Sequence, residues 1–175
     1  MTDIFISYSR KDQEYVDLLK PIFKRLQLEE NTNYFQDIDN ILPGEDFEEI
    51  IHSSITDASI IICLLGPNFF ASTFIQEKEI PYIESAHSKK TKVIPVLLDN
   101  VYIPPNSFFS TIQQANTDNK TLLELRISNN HSNFLRYFEE IIRNELKRYP
   151  GRQKNGSKMR YNIVVVKKLV QEKVN

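Results

Sequence analysis

Short apolar runs alternate along the chain with longer segments in which hydrophobic residues recur every three or four positions. The runs predict strands, and the helical spacing predicts helices. Strand and helix alternate, which indicates a mostly parallel sheet. The predicted fold class is therefore α/β, a flavodoxin-like three-layer αβα sandwich around a central five-stranded sheet. We expect strands over residues 4–8, 33–35, 58–65 and 92–98, a short fifth strand over 121–127, and helices over 13–26, 47–55, 73–87 and 133–149.

Prolines and one aspartate refine these boundaries. Asp12 is interpreted as the N-cap of the first helix, and Pro21 and Pro81 lie inside helical patterns. Pro95 removes one hydrogen-bond donor from the fourth strand, which predicts a sheet edge or a bulge. The run over 58–65 is apolar without alternation, as expected of a central strand that is covered on both faces.

The predicted domain covers residues 1–149 and is followed by a basic C-terminal extension over 150–175. Pro150 and Gly151 mark the boundary. Within the extension, residues 161–166 (YNIVVV) have the composition of a strand. We interpret them either as an added edge strand or as a segment that pairs with a partner.

The composition is ordinary for a globular domain, with 41% hydrophobic and 26% charged residues in a chain of 175. No apolar run approaches the ~20 residues that span a bilayer, and the N-terminus has no secretory pattern, so we expect no membrane insertion. The single cysteine, Cys63, lies in an apolar run and is expected to be a buried structural thiol. A cytoplasmic location follows as an expectation.

Charge is distributed unevenly, although the net charge is only −1. Residues 151–175 hold seven basic residues and one acidic residue, a net charge of +6, which leaves −7 on the body. An acidic body lacks the basic surface that is typical of a nucleic-acid-binding protein. The tail is interpreted as a solvated appendage, or as a surface that touches a partner, a phosphate polymer or the acidic body.

Several common kinds of site are missing from the sequence. His52, His87 and His131 are far apart and have no metal-ligand spacing, so we predict no metal. Ser7 and Ser9 lack the histidine and acid pattern of a hydrolase triad. The chain has neither a GxGxxG stretch nor a Walker-type loop, so classical dinucleotide or nucleoside-triphosphate binding is not indicated.

Residues 3–12 (DIFISYSRKD) carry the strongest sign of a ligand site. An apolar strand leads into small hydroxyl residues and then into Arg10. Open α/β sheets bind ligands in the crevice outside the carboxyl ends of their strands. Arg10 can contact a phosphate through two nitrogens, with an ordinary exposed surface arginine as the plainer interpretation.

Four stretches, which together cover residues 2–148, form a set of motifs. In chain order they are DIFISYSRKD (3–12), FQDIDNILPGED (35–46), LGPNFFAS (65–72), and VIPV (93–96) with the closing helix FEEIIRNEL (138–146). In this order and at this spacing they resemble the Toll/interleukin-1 receptor (TIR) domain family, although none is decisive by itself. The first is similar to the family's first signature box, the second to the mobile loop after the second strand, and the third to S-P-x-F-x-x-S, with Gly66 in place of the usual Ser.

The resemblance implies a catalytic glutamate, because the enzymes of the family carry one on the helix that follows the third strand. It commonly lies about seven residues after the Ser of the third box. Counting from Ser72 gives Glu79, with Glu77 as the nearby competitor. A solvated carboxylate on a helix face is the plainer alternative. The preceding aromatic would be Phe74, from which the common Trp-x-x-x-Glu spacing lands on Lys78.

The resemblance also implies residues that contact the substrate. Asp37 would lie near the nucleotide, or would cap its own loop instead. Phe74 would stack on nicotinamide or adenine, or would pack in the core. Residues 42–44 would form a flexible lid. The implied substrate-binding set is Tyr8, Ser9, Arg10, Asp37, Leu42, Pro43, Gly44 and Phe74.

The implied reaction is cleavage of the nicotinamide–ribosyl bond of NAD+, giving nicotinamide and ADP-ribose or a cyclic ADP-ribose signal, in bacterial anti-phage defence or regulated cell death. NAD+ is the substrate, and no cofactor is expected. One carboxylate suffices, because the leaving nicotinamide needs no proton. The family's enzymes act once assembled, so self-association through TIR–TIR contacts and an activating partner or downstream effector are expected.

Two other interpretations compete with that of an enzyme. In a non-catalytic TIR–TIR interaction module, an adaptor or virulence factor, Glu79 is incidental and residues 37–46 contact a protein. The other is a plain flavodoxin-like or receiver-like domain. A receiver needs an acidic pair after its first strand and a phosphorylatable Asp after its third. Residues 7–9 (SYS) and 66–68 (GPN) stand there instead, so this interpretation is disfavoured.

Overall fold

The apolar runs form one parallel sheet in the computed structural model, which describes residues 4–29, 35–37, 46–148 and 163–165. The strands are β1 (Ile4–Ser7), β2 (Phe35–Asp37), β3 (Ile60–Leu65), β4 (Lys92–Leu97) and β5 (Ile163–Val165). The helices are α1 (Gln13–Glu29), α2 (Phe47–Asp57), α3 (Pro67–Ala71), α4 (Ile80–Ser88), α5 (Leu122–Ile127) and α6 (His131–Arg148), with 3₁₀ turns at Arg10–Asp12 and Phe108–Ser110 and a π-helical turn at Ile75–Glu79.

The strand order across the sheet is β2-β5-β1-β3-β4, and every neighbouring pair is parallel. β1 and β3 are aligned from Ile4 opposite Ile60 to Ser7 opposite Cys63. The carboxyl ends of these strands therefore meet at one edge of the sheet, where an open α/β fold places its ligands.

Successive residues of β1 enter opposite faces of the sheet and two separate cores. Ile4 and Ile6 pack with α1, α5 and α6, whereas Phe5 packs with α2, α3 and α4. β3 alternates in the same way and is completely buried, and its Cys63 is enclosed as expected. Helices thus cover both faces, which confirms the predicted three-layer α/β class.

β4 is the outer strand on its side of the sheet, as Pro95 predicted. Proline is tolerated there because only one side of the strand carries a neighbouring strand. The following loop covers the other side. The Ala115 N–H donates to the Pro95 carbonyl at 2.8 Å, and the Asn116 side chain both accepts from the Leu97 N–H and donates to its carbonyl. The loop therefore protects an edge that would otherwise be open for pairing.

The fifth strand predicted over 121–127 is wrong, because these residues form α5. Thr121 and Glu124 make a reciprocal capping box, in which each side chain accepts from the other residue's backbone N–H. Leu122 and Leu125 are buried at helical spacing. The Thr-x-x-Glu signal outweighs the weak strand preference of this short apolar stretch.

The fifth strand of the sheet comes instead from the basic extension. β5 lies between β1 and β2, with Val164 opposite both Phe5 and Gln36. The predicted position of this strand at a sheet edge is therefore wrong. The second strand runs from Phe35 to Asp37, so Gln36 and Asp37 belong to a strand rather than to the expected loop, and residues 38–44 of that loop lie outside the described residues.

The first helix begins at Gln13 as predicted, but the role of Asp12 and the form of the third helical segment differ from expectation. Asp12 ends a 3₁₀ turn, and its carboxylate accepts from Asn68 instead of capping α1. Pro21 lies inside α1, which continues to Glu29. The third helical segment is not uniform, because a π-helical turn precedes α4. This turn shapes the site described next.

Candidate functional site

A cavity of about 820 Å³ opens at the carboxyl edge of the sheet. One wall comes from the turn after β1, where Ser9, Arg10 and Lys11 line it. The other wall comes from α3 and the turn that follows it, including Asn68 and Phe74. The volume is within the usual range for small-molecule sites, and the location is the one that the strand directions predicted.

Positive charge dominates the cavity. Arg10, Lys11 and Lys78 line it, and Glu77 is the one acidic residue among its described lining residues. An arrangement of this kind attracts anions and is suited to phosphate groups, for which arginine and lysine are the usual ligands.

Asp12 connects the two cavity walls through two hydrogen bonds. Its backbone N–H donates to the Ser9 carbonyl at 2.8 Å, which closes the turn that presents Arg10 and Lys11. Its carboxylate Oδ1 accepts from Asn68 Nδ2 at 2.8 Å. Burial raises the pKa of Asp12, and the Asn68 hydrogen bond opposes that rise only in part.

The stability difference between the wild type and Asp12→Asn is expected to depend on pH in one direction. The folded pKa of Asp12 lies above its ordinary value of 3.8, so the folded protein holds this proton more tightly than the unfolded chain. The contribution of Asp12 to stability is then complete below pH 3.8 and is lost as the pH rises through the folded value. Denaturant unfolding at several pH values should show the wild type losing stability relative to Asp12→Asn as the pH rises. A pH-independent difference, or the opposite trend, contradicts this assignment.

Glu79 is completely buried next to the end of β1. The Ser7 hydroxyl donates to Glu79 Oε2 at 2.5 Å across the sheet edge. Glu79 is not among the described residues that line the cavity, whereas its neighbour Lys78 is, as is Ser9, two residues after Ser7. The Glu79 carboxylate is therefore enclosed in the protein, whereas residues next to it and to its partner Ser7 in the chain line the cavity.

The π-helical turn accounts for the position of Glu79 relative to Phe74. The Ile80 N–H donates to the Ile75 carbonyl, five residues earlier rather than four. Such a turn holds one residue more than an α-helical turn. The five-residue step from Phe74 to Glu79 thus covers one turn, as a four-residue step does in an ordinary α-helix. The sequence departs from the Trp-x-x-x-Glu spacing at the place where the helix accommodates an extra residue.

Deleting Glu77 is expected to be tolerated, whereas deleting Glu84 is not. Both are exposed glutamates, the first in the π-helical turn and the second in α4. Losing one residue converts the π-turn into an α-turn and leaves the flanking residues in place. A deletion in α4 rotates the later residues by about 100° and displaces buried Ala86. In thermal unfolding we expect the Tm to fall by less than about 3 °C in the first case and by more than about 6 °C in the second. Equal losses would contradict an extra residue in this turn.

The structure brings some of the sequence-predicted site residues together. Ser9, Arg10 and Phe74 line the cavity, as does the competitor Glu77. Tyr8 is buried in the core, with its hydroxyl donating to Gln13 Oε1 at 2.9 Å, and is not among the described lining residues. Asp37 is the last residue of β2, and Leu42, Pro43 and Gly44 lie outside the described residues.

Phe74 connects the cavity to α2. Its ring centroid lies 5.5 Å from that of Phe47, the first residue of α2, and Phe74 is only partly buried. Asp46 caps the same helix by accepting from the Glu48 and Glu49 N–H groups. Phe74 therefore packs against Phe47 and also contributes to the cavity lining.

Sequence reasoning missed two contacts that shape the cavity, Asp12 with Asn68 and Lys78 with Glu48. Both join residues that are distant in the chain, so local patterns could not show them. Within the described ranges, no three His, Cys, Asp or Glu side chains cluster as a metal site would require. Nor does any helix in the described part of the chain have the length and apolar character to cross a membrane.

Two solved structures match the chain, and the first of them supports the fold. The crystal structure of the TIR domain of the Toll-related receptor TRR-2 from Hydra magnipapillata matches with a TM-score of 0.50 at 21% identity, over 77% of this chain and 98% of that one. The TIR domains in the structure of the activated Roq1 resistosome, which directly recognises the pathogen effector XopQ, match with a TM-score of 0.43 at 18% identity, over 94% of this chain and 87% of that one. No curated protein matches the sequence.

The family itself is established by the sequence match. The family model described as TIR domain covers residues 4–126, from the first residue of β1 to the penultimate residue of α5. That span is more than half of the chain and includes every described residue that lines the cavity. The protein belongs to the TIR domain family.

Proposed function

We propose that this TIR domain is an enzyme that cleaves the nicotinamide–ribosyl bond of NAD+, with Glu79 as its catalytic residue. The observation that carries the proposal is the placement of the buried Glu79 carboxylate. It accepts a hydrogen bond from Ser7 at the carboxyl end of β1, and residues near this pair in the chain contribute Arg10, Lys11 and Lys78 to the cavity lining. The cations suit the diphosphate of a dinucleotide, and the carboxylate suits the ribose.

The proposed reaction requires from the protein mainly a negative charge in the correct position. The bond between the ribose C1′ and the nicotinamide nitrogen breaks, and its electron pair neutralises the leaving ring. Positive charge develops on the ribose, where the Glu79 carboxylate stabilises it. Water then adds to C1′ and loses a proton to give ADP-ribose, or an adenine nitrogen adds to give the cyclic product. No second carboxylate is needed to protonate the leaving group.

In this proposal Glu79 reaches the ribose only after the cavity wall opens. Its carboxylate is enclosed and hydrogen-bonded to Ser7, while Lys78 and Ser9 on either side already line the cavity. We propose that self-association through TIR–TIR contacts, set off by an activating partner, drives this opening. The setting would be the bacterial cytoplasm, in anti-phage defence or regulated cell death, with a downstream effector wherever the product is a cyclic ADP-ribose signal.

The experiment is incubation of the purified chain with NAD+ across a range of protein concentrations, with products separated by chromatography. We expect nicotinamide to be released together with ADP-ribose or a cyclic ADP-ribose, at a specific rate that rises with protein concentration. No release at any concentration, including in assemblies induced by a crowding agent, would count against the enzyme.

A non-catalytic TIR–TIR interaction module, an adaptor or virulence factor, is the second candidate. The observation that favours it is the complete enclosure of Glu79, which fits a structural hydrogen bond to Ser7 as well as a catalytic role. For such a module we expect self-association or capture of another TIR domain without nicotinamide release, and no loss of that association in Glu79→Gln.

A further inference from the structure

Lys78 lines the cavity, but its ammonium group forms an ion pair with Glu48, which is not among the described lining residues. Its ammonium Nζ lies 3.0 Å from Glu48 Oε1, on the first turn of α2. The same oxygen accepts from the Tyr82 hydroxyl at 3.1 Å, and the Tyr82 ring packs on His52 at 4.2 Å between centroids. The Lys78 ammonium lowers the pKa of Glu48, so this carboxylate is charged at neutral pH.

We propose that Lys78 is a diphosphate-binding residue of the cavity and that Glu48 is the competing anion which a diphosphate displaces. The inference deepens the proposed function, since it assigns the dinucleotide's diphosphate to a named cation. It rests on which charges face the cavity and on the geometry of one ion pair.

The charges of the cavity suit this exchange. With Lys78 paired to Glu48, the cations Arg10 and Lys11 face the single acid Glu77, which leaves a net charge of +1. Release of Lys78 from Glu48 raises the charge available to the cavity to +2, which matches the two negative charges of a dinucleotide's diphosphate. The protein thus gains full charge complementarity only when the anion is present.

The exchange is also energetically accessible. The side chains of Lys78 and Glu48 are 44% and 39% exposed, and ion pairs this exposed contribute little to stability. Glu48 keeps the Tyr82 hydroxyl after losing Lys78, and water reaches it, so no charge is left buried. A diphosphate offers Lys78 more negative charge than one carboxylate does.

The test is calorimetric titration of the full chain with inorganic pyrophosphate in metal-free buffer. Glu48→Gln retains an acceptor for Tyr82 and frees Lys78, so we expect about threefold to tenfold tighter binding. Lys78→Gln is expected to bind about tenfold more weakly. The double variant is expected to match Lys78→Gln alone, because Glu48 acts only through Lys78.

The matched control is the Lys20–Asp17 pair on α1, whose Nζ–Oδ1 distance is 2.7 Å and whose members are not among the described cavity residues. Asp17→Asn and Lys20→Gln make the same charge changes and should alter pyrophosphate affinity by less than about twofold. Tighter binding in Asp17→Asn equal to that in Glu48→Gln would reduce the effect to net charge and overturn the inference. Additive effects of Glu48→Gln and Lys78→Gln would overturn it as well.

Two further titrations separate the possible anions and the two proposals. ADP-ribose is expected to show the same dependence on Glu48 and Lys78 as pyrophosphate, and orthophosphate to show little. Equal dependence with orthophosphate would overturn the assignment to a diphosphate. Pyrophosphate binding with the expected coupling but without NAD+ cleavage would remove the proposed enzyme and keep this inference, whereas NAD+ cleavage without the coupling would do the reverse.

Discussion

Replacement of Glu79 by glutamine is expected to lower the rate of NAD+ cleavage by about 10²–10³-fold while the protein remains folded. Glutamine has nearly the same shape, and its amide oxygen can still accept from the Ser7 hydroxyl that now donates to Oε2. In the proposed reaction, it loses the negative charge that would oppose the positive charge developing on the ribose. A loss of this size corresponds to about 3–4 kcal/mol of transition-state stabilisation.

Glu77→Gln is the matched control for this variant. Glu77 lies two residues away in the same π-helical turn, is exposed and lines the cavity, so the two substitutions make the same change at one exposed and one buried carboxylate. Both proteins are to be assayed for nicotinamide release at equal concentration, and circular dichroism establishes that each is folded. We expect Glu77→Gln to keep at least about a third of the wild-type rate.

The converse result would reassign the carboxylate. If Glu77→Gln were inactive and Glu79→Gln active, the acid already in the cavity would be the catalytic one, and Glu79 would be a structural partner of Ser7. Activity retained in both variants would exclude either carboxylate from the reaction. The pair of variants therefore decides between two positions that helical geometry directs to different sides.

The secondary structure was largely predictable wherever the apolar pattern was strong. β3 has an uninterrupted apolar run and is covered on both faces, and Pro95 correctly placed β4 at an edge. The prediction was wrong over residues 121–127, where the apolar residues are too few to distinguish a period of two from a period of 3.6. There the local Thr-x-x-Glu capping signal was the better guide.

The candidate site was predictable in its location and less so in its contacts. Strand ends and the hydroxyl residues with Arg10 pointed to the carboxyl edge of the sheet, where the cavity lies. The only sign of the π-helical turn in the sequence was the spacing between Phe74 and Glu79, which does not fit Trp-x-x-x-Glu. The Glu48–Lys78 pair joins two helices thirty residues apart, and nothing local to either residue indicates it. Tertiary packing alone creates such a pair.

The position of β5 in the sheet was mispredicted for a different reason. Its residues read as a strand, but a three-residue strand has no local feature that selects its neighbours. Within the run over 161–166, residues 163–166 (IVVV) are apolar without alternation, which is typical of a strand inside a parallel sheet rather than at its edge. That signal was available in the sequence and favours the interior position between β1 and β2.

Val164→Pro is expected to lower the free energy of unfolding by about 2–4 kcal/mol, a fall in Tm of roughly 5–15 °C. Val164 is the middle residue of β5 and lies opposite Phe5 on one side and Gln36 on the other. Proline removes the backbone donor of a strand whose two sides are both paired, and its ring disturbs the adjacent chain. Pro95 shows the contrasting case, since its strand has a neighbouring strand on one side only.

Val164→Thr is the control, because threonine keeps the β-branched shape and the backbone N–H and should cost less than about 1 kcal/mol. Thermal and denaturant unfolding of the full chain measure both variants. If proline and threonine destabilise equally little, β5 does not occupy the interior of the sheet, and β1 and β2 must pair without it. If proline is severely destabilising, the basic extension is part of the sheet that supports Ser7 and the turn carrying Arg10, and the edge that holds the candidate site depends on a strand nearly 160 residues away in sequence.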